Sequence, residues 1–208
     1  KNMRWGDGEV RFARPIRWLL AMVGDEVIPF TWGNLESSNQ TWGHRFMGNG
    51  PVGVTGFDDY VEKLKEAYVV VDPQERMELI REELNKAAQE AGGQPEEDAE
   101  LLKTVNFLVE HPTGITGHFE KELLALPREV IVTPMKHHQR YFPVVDDQGA
   151  LLNAFVAVAG TPITPGLGVR NIILSGCQSG VACDVRSTSQ ETEYWDNYTV
   201  PGYNHWYD

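Results

Sequence analysis

Residues 135–144, with the sequence MKHHQRYFPV, form the segment of this chain whose residue types could do the most chemistry. Within ten residues it combines two cations, two adjacent imidazoles, an amide, two aromatic rings and a proline. Ammonium, guanidinium and imidazole groups donate hydrogen bonds to phosphate oxygens, and aromatic rings stack on unpaired bases. The segment therefore predicts a site for a phosphate or a nucleobase.

The two cations of this segment have a spacing that suits one extended anion. Lys136 and Arg140 are four residues apart, which puts them on the same side of a helix and also on the same side of a strand. Both could then contact one run of phosphates. The alternative is that Arg140 pairs with an acid of the helical part of the chain and Lys136 is simply exposed.

The adjacent histidines favour neither a metal nor a catalytic base. His137 and His138 would point to opposite faces of a strand, and on a helix they would diverge by about 100°. No Cys-x-x-Cys or His-x-x-x-His partner lies nearby, and no Ser or Cys is marked as a nucleophile. We expect no metal site and no catalytic residue, and we group His137 with Lys136 and Arg140 as candidate RNA ligands.

Three further arginines are candidate phosphate ligands. Arg14 and Arg17 lie just ahead of Trp18, and Arg45 lies in the loop-rich sequence GHRF at residues 43–46. A glycine there allows the backbone to approach a ligand closely. For Arg45 and Arg14 the competing interpretation is a structural salt bridge with the acidic helices, and for Arg17 it is a solvent-exposed position beside Trp18 as a core anchor.

The elements that must position these residues follow the order strands, helices, strands. Strands and turns are predicted over residues 10–56, with a hairpin turn at Gly24-Asp25. Helices are predicted over 57–68, from Asp72-Pro73 to Gly92-Gly93, and from about 95 to 110, with a short strand at 69–71 between the first two. Strands follow at 129–133, 141–145 and 151–159. This order predicts an α+β fold with mixed or antiparallel sheets around a central helical block.

Charge is distributed unevenly along the 208 residues. The net charge is −12, and residues 57–122 carry 17 acidic and 7 basic side chains, whereas residues 1–45 carry 5 acidic and 6 basic ones. An acidic chain argues against a nucleic-acid partner, but this distribution allows an anion to bind outside the helices. No apolar stretch approaches the ~20 residues of a membrane span, and no signal peptide is visible, so a cytoplasmic location is expected.

The character of the chain changes after Gly160. Residues 161–168 have the composition of a linker, and residues 184–208 are rich in Tyr and Trp with no helical or strand period. We predict one domain over residues 1–160, followed by a linker and an aromatic-rich tail of unknown origin at 161–208. The chain begins without an initiator methionine, which indicates a piece of a longer protein.

Five segments occur in a fixed order: RPIRW at 14–18, GHRF at 43–46, VDPQER at 71–76, LPREV at 126–130 and the segment at 135–144. Together they resemble the N-terminal half of the beta subunit of bacterial glycyl-tRNA synthetase. The resemblance covers about residues 1–160, and residues 161–208 do not match it.

The resemblance implies a role in an ATP-dependent aminoacyl-tRNA synthetase, glycine–tRNA ligase, which serves protein biosynthesis. It implies a fold similar to the editing-type domain of the phenylalanyl-tRNA synthetase beta subunit. The parent enzyme would be an alpha/beta heterotetramer whose alpha subunit activates glycine with ATP, so this chain would need no cofactor and would be inactive alone. Its expected role is positioning of tRNA(Gly) or scaffolding of subunits. The alternatives are hydrolytic editing of mischarged tRNA and a pure protein-interaction module.

Overall fold

The structure, a computed structural model, describes residues 3–4, 8–161, 172–175 and 184–187, the last two ranges by their backbone alone. The contacts divide the chain into two units, Lys1–Arg76 and Met77–Asp208. Both contain helix and strand, and the strand pairings of the described ranges are antiparallel except for one parallel pair, which confirms the α+β class with mixed sheets. The predicted boundary near residue 160 adjoins residues outside the described part and stays a prediction.

The first unit is built mainly from short strands. They are β1 (Met3–Arg4), β2 (Arg11–Phe12), β3 (Leu19–Leu20), β4 (Met22–Val23), β5 (Glu26–Val27), β6 (Thr31–Trp32), β7 (Leu35–Ser38), β8 (Gln40–Trp42) and β9 (Pro51–Gly53). The hairpin predicted at Gly24-Asp25 is confirmed, since β4 pairs with β5 and Gly24 has a φ of 63°. A left-handed φ of this kind is the conformation that tight hairpin turns require.

Helix α1 (Phe57–Glu66) confirms the first predicted helix, but the strand predicted at residues 69–71 is wrong. The chain leaves α1 through Tyr68, whose φ is 61°. Val70 is buried, and its carbonyl accepts a hydrogen bond from the guanidinium of Arg76. Because a side chain satisfies this buried carbonyl, the apolar run needs no neighbouring strand.

Helices α2 (Pro73–Glu90) and α3 (Ala99–Asn106) form the central helical block. Helix α2 begins and ends where Asp72-Pro73 and Gly92-Gly93 predicted. Helix α3 is shorter than predicted: Asp98 caps its first turn by accepting the Leu101 N–H at 2.9 Å, and its last turn tightens after Asn106. The apolar residues at 107–109 have helical spacing in the sequence, but they lie beyond the end of the helix.

The second unit contains a four-stranded antiparallel sheet. Its strands are β10 (Gln94–Pro95), β11 (Thr113–His118), β12 (Phe142–Val145) and β13 (Leu151–Ala159), in the spatial order β10-β12-β13-β11. Strand β12 is buried along its whole length, and it packs with β13, α2 and α3 into the main core. Gly117 lies directly over the ring of Phe155, where any Cβ would overlap that ring.

The strand predicted at 129–133 is wrong. A 3₁₀ helix (Lys121–Ala125) is followed by helix α4 (Arg128–Thr133) and then by a π-helix (Pro134–Gln139). The run is β-branched, but Ile131 and Met135, which are four residues apart, are buried in one cluster, so packing of a helical face overrides local strand propensity. Residues 172–175 and 184–187 pair as antiparallel strands β14 (Ile172–Ser175) and β15 (Asp184–Ser187), although no strand was predicted there. The rest of the predicted tail lies outside the described residues.

Candidate nucleic-acid interface

Residues 135–144 contain two rare backbone features in succession. The π-helix Pro134–Gln139 ends at Arg140, which adopts a left-handed conformation with φ 60°. The carbonyl of Met135 accepts the N–H groups of both Arg140 and Tyr141, the latter at 2.8 Å. π-turns and left-handed non-glycine residues are uncommon and concentrate at functional sites. The backbone conformation and the residue types therefore both indicate a functional site in this segment.

Lys136 is tied to acids beside α3. Its ammonium lies 3.1 Å from Asp98 Oδ2 and 3.5 Å from Glu96 Oε1, and its side chain is only 15% exposed. Arg128 lies 2.9 Å from the other oxygen of Glu96. The four side chains form one partly buried ionic network. The acids thus pair with Lys136. The alternative interpretation, in which Arg140 is paired and Lys136 is exposed, is wrong.

Asp98 has two tasks in this network. Burial raises the pKa of its carboxyl group, but hydrogen bonds from the backbone N–H of Leu101 and from Lys136 favour the ionised form. The net pKa of Asp98 lies below the ordinary value of 3.8. The carboxylate is therefore held charged both as the cap of α3 and as the partner of Lys136.

The other candidates of this segment face solvent. His137, His138 and Arg140 are exposed, and Arg140 donates one long hydrogen bond of 3.4 Å to the carbonyl of Lys136. Within the described ranges no carboxylate pairs with Arg140. The structure thus leaves one guanidinium and two imidazoles available at this surface.

Buried side chains beneath this surface hold it in place. Met135 is fully buried, and Tyr141 stacks on Phe155 with ring centroids 4.7 Å apart and an interplanar angle of 11°. Burial raises the pKa of the Tyr141 phenol, which therefore stays neutral at physiological pH. Phe142 is in the main core, so both aromatic residues of the segment pack rather than offer a free ring.

Arg45 lies in the first unit on a turn fixed from within. The backbone N–H of His44 donates to the carbonyl of Ala67 at 2.8 Å, and its buried imidazole accepts the N–H groups of residues 46 and 47 at 3.3 Å each. Gly43 was expected to let the backbone approach a ligand, but its close approach is to Ala67, which directly follows α1. Arg45 itself is exposed, with its guanidinium 5.8 Å from the ring of Phe46.

Arg14 and Arg17 are exposed in the same unit, and neither pairs with an acid among the described residues. Trp18, which follows Arg17, packs against Trp42 with centroids 4.7 Å apart. Sequence reasoning missed Trp42, because 24 residues separate the two rings and only the folded first unit brings them together.

A cleft of about 450 Å³ on the second unit adjoins the ionic network, since Glu96 and Asp98 are among the residues that line it. Its polar lining includes Arg81, Asn85 and Glu97, above a floor that includes Leu84 and Phe142. The residues that line it include no Ser, Thr, Cys or His that could act as a nucleophile or as an imidazole base. Within the described residues, no three His, Cys, Asp or Glu side chains gather in a way that could hold a metal ion. No helix among them is long and apolar enough to cross a membrane.

Comparison with known proteins places this chain among the aminoacyl-tRNA synthetases. The family model described as glycyl-tRNA synthetase beta subunit matches residues 1–171, and the chain belongs to that family. The match extends slightly past residue 160, where the resemblance was expected to end.

Curated relatives agree with this membership. The glycine–tRNA ligase beta subunit of Moorella thermoacetica is 52% identical over 158 residues, which are 76% of this chain and 23% of the relative. The beta subunits of Desulforamulus reducens and Clostridioides difficile are 49% and 47% identical over the same shares. The chain therefore spans about a quarter of the length of the curated relatives that it matches.

Proposed function

We propose that this chain contributes to glycyl-tRNA synthesis as part of a glycine–tRNA ligase beta subunit, and that its contribution is to contact and position tRNA. The relatives carry that name, and the acceptor of their reaction is a polyanion. The observation that carries the proposal is the exposed group of Arg140, His137 and His138, which has no carboxylate partner for Arg140 within the described residues.

The backbone at Arg140 supports this role. A left-handed conformation at a residue other than glycine costs about 1–3 kcal/mol, and glycine would adopt it without that cost. The position nevertheless holds an arginine, whose planar guanidinium suits phosphate oxygens. Among the described residues, the guanidinium of Arg140 makes one long hydrogen bond of 3.4 Å, so this exposed, strained side chain contributes little to stability and its use is best sought in a ligand.

On the basis of the family membership, we propose a division of labour between two subunits. Cations and imidazoles can hold a phosphate backbone, whereas activation of an amino acid needs a nucleotide site, which we assign to an alpha subunit that uses ATP. We propose an alpha/beta heterotetramer as the working assembly, with no cofactor in this chain and no aminoacylation by it alone. We also propose that its fold is similar to the editing-type domain of phenylalanyl-tRNA synthetase.

The test is tRNA(Gly) binding by the 208-residue chain as a function of salt concentration. Each phosphate contact contributes a slope of about one to the plot of log affinity against log salt. Replacing Arg140 by alanine should reduce the slope by about one and weaken binding. Arg81→Ala is the matched control, because Arg81 is also exposed but lies on the acidic helix α2.

The possible results separate the competing functions. Binding with a slope that Arg140→Ala leaves unchanged would remove this segment from the interface. No binding at any salt concentration would contradict the tRNA role and favour a protein-interaction module. Release of the amino acid from mischarged tRNA by the chain would instead favour hydrolytic editing.

A further inference from the structure

The first unit exposes two kinds of apolar side chain. Val23, Ile28 and Phe30 are exposed without an arginine within three residues, and Val23 is closely followed by Asp25 and Glu26. Trp18, Trp42 and Phe46 are exposed beside arginines: Arg17 precedes Trp18, and Arg45 precedes Phe46. The second kind combines flat aromatic surface with positive charge.

The two tryptophans form a fixed pair. Trp18 immediately precedes β3, and Trp42 is the last residue of β8, whose pairing with β9 sets Trp42 opposite Pro51. The indole centroids are 4.7 Å apart with an interplanar angle of 41°. The two residues nevertheless stay 38% and 37% exposed. Packing on each other restricts both rings, while more than a third of each remains open to solvent.

The charge around the pair favours an anionic partner with flat faces. Arg17 is exposed and has no carboxylate partner within the described residues, and Arg14 is in the same state three residues earlier. Single-stranded nucleic acid is bound by such a combination, in which aromatic rings stack on bases while cations follow the phosphates. An apolar protein surface would gain nothing from these two guanidinium groups, which no carboxylate of the described residues neutralises.

We propose that the Trp18–Trp42 pair is a stacking platform for unpaired bases of RNA, with Arg14 and Arg17 holding the adjacent phosphates. This inference rests on the proposed function, since the RNA it serves is the tRNA of that reaction. It goes further because it assigns a second RNA-binding surface, on the first unit. This surface recognises an unpaired base.

The experiment compares two RNA probes on the full 208-residue chain by fluorescence anisotropy. One is an unstructured oligonucleotide of about ten nucleotides, within the site sizes typical of single-strand binders. The other has the same length and charge but lacks its bases. We expect the base-free probe to bind between about five-fold and about 150-fold more weakly, the range observed when one stacked base is lost. Equal affinity for the two probes would overturn the proposal without any variant.

Variants locate the effect. Trp18→Ala and Trp42→Ala should each weaken binding of the base-containing probe within the same range, while Trp18→Phe and Trp42→Phe should recover most of the loss. Phe30→Ala is the matched control, because Phe30 is exposed in the same unit without a neighbouring arginine. Loss of affinity in Phe30→Ala as large as in the tryptophan variants would overturn the proposal.

A parallel titration with tRNA(Gly) separates this proposal from the function on which it rests. If tRNA binds and the tryptophan variants bind it as well as the parent chain does, the platform is wrong and the tRNA role stands. If the oligonucleotide binds through the tryptophans but tRNA does not bind, the tRNA role is wrong and the platform stands. If neither RNA binds, both are wrong.

Discussion

Replacing Lys136 by methionine should destabilise the protein by about 1–2 kcal/mol, because Lys136 is the central cation of a partly buried network. Exposed ion pairs contribute about 0–1 kcal/mol, and removal of one partner of a fully buried pair costs about 3–5 kcal/mol. The side chains of Lys136, Glu96 and Asp98 are 15%, 28% and 26% exposed, which lies between these limits and closer to the surface case. Methionine keeps the apolar stem, so the change reports on the charge.

Urea unfolding at low salt would measure this free energy. Arg140→Ala is the matched control: Arg140 is four residues away and exposed, so its removal should change the free energy of unfolding by less than about 0.5 kcal/mol. If Lys136→Met unfolds at the same urea concentration as the parent chain, the network contributes nothing and the reasoning is refuted. Equal losses in the two variants would refute it as well.

The pH dependence of this difference provides a second check. The pKa of Asp98 is lower in the folded state than its ordinary value of 3.8, so its contribution to stability is present above that value and is lost as the pH falls through the folded pKa. Lys136 is one of the groups that lower the pKa of Asp98. The stability difference between the parent chain and Lys136→Met should therefore be largest near neutral pH and shrink below pH 3.8. A difference that is constant from neutral to acid pH would contradict the pairing.

Three further predictions concern the backbone and the caps. Arg140→Val should destabilise by about 1–2 kcal/mol, since a β-branched residue resists the left-handed conformation, whereas Arg140→Gly should not; urea unfolding of both tests this. Gly117→Ala should cost about 1–3 kcal/mol through overlap with Phe155, whereas Gly53→Ala, which meets open space, should be close to neutral in the same assay. Asp98→Ala should cost more than Lys136→Met, by the further ~1 kcal/mol typical of a lost helix cap, and equal losses would mean that the cap contributes nothing.

Local sequence signals predicted those elements whose ends are fixed by backbone chemistry. Asp72-Pro73 and Gly92-Gly93 mark both ends of α2, because a cap, a proline and glycines act on their own neighbours. Strands were also predicted at 141–145 and 151–159, as apolar runs around a polar turn, and the structure has them at Phe142–Val145 and Leu151–Ala159. In each case the deciding interaction spans only a few residues.

The wrongly predicted elements are those whose structure is decided by contacts between residues far apart in the sequence. Residues 129–133 look like a strand, but burial of Ile131 in a cluster with Phe119 and Phe155 stabilises a helix there. Residues 69–71 look like a buried strand, but Arg76 satisfies the carbonyl of Val70. The segment 135–144 was found because its residue types are unusual, whereas the partners of Lys136 were not, since Glu96 and Asp98 lie about 40 residues earlier.

The strand order of the second unit sets when its sheet can form during synthesis. Strand β11 pairs with β13 within the described sheet, from Thr113 opposite Ala159 to His118 opposite Ala154. A ribosome adds about 5–20 residues per second, so β11 leaves the ribosome at least ~2 s before its partner is complete. During that interval the nascent chain carries an unpaired edge, which other nascent chains could join. Translation speed across residues 118–159 is therefore expected to influence the yield of folded protein.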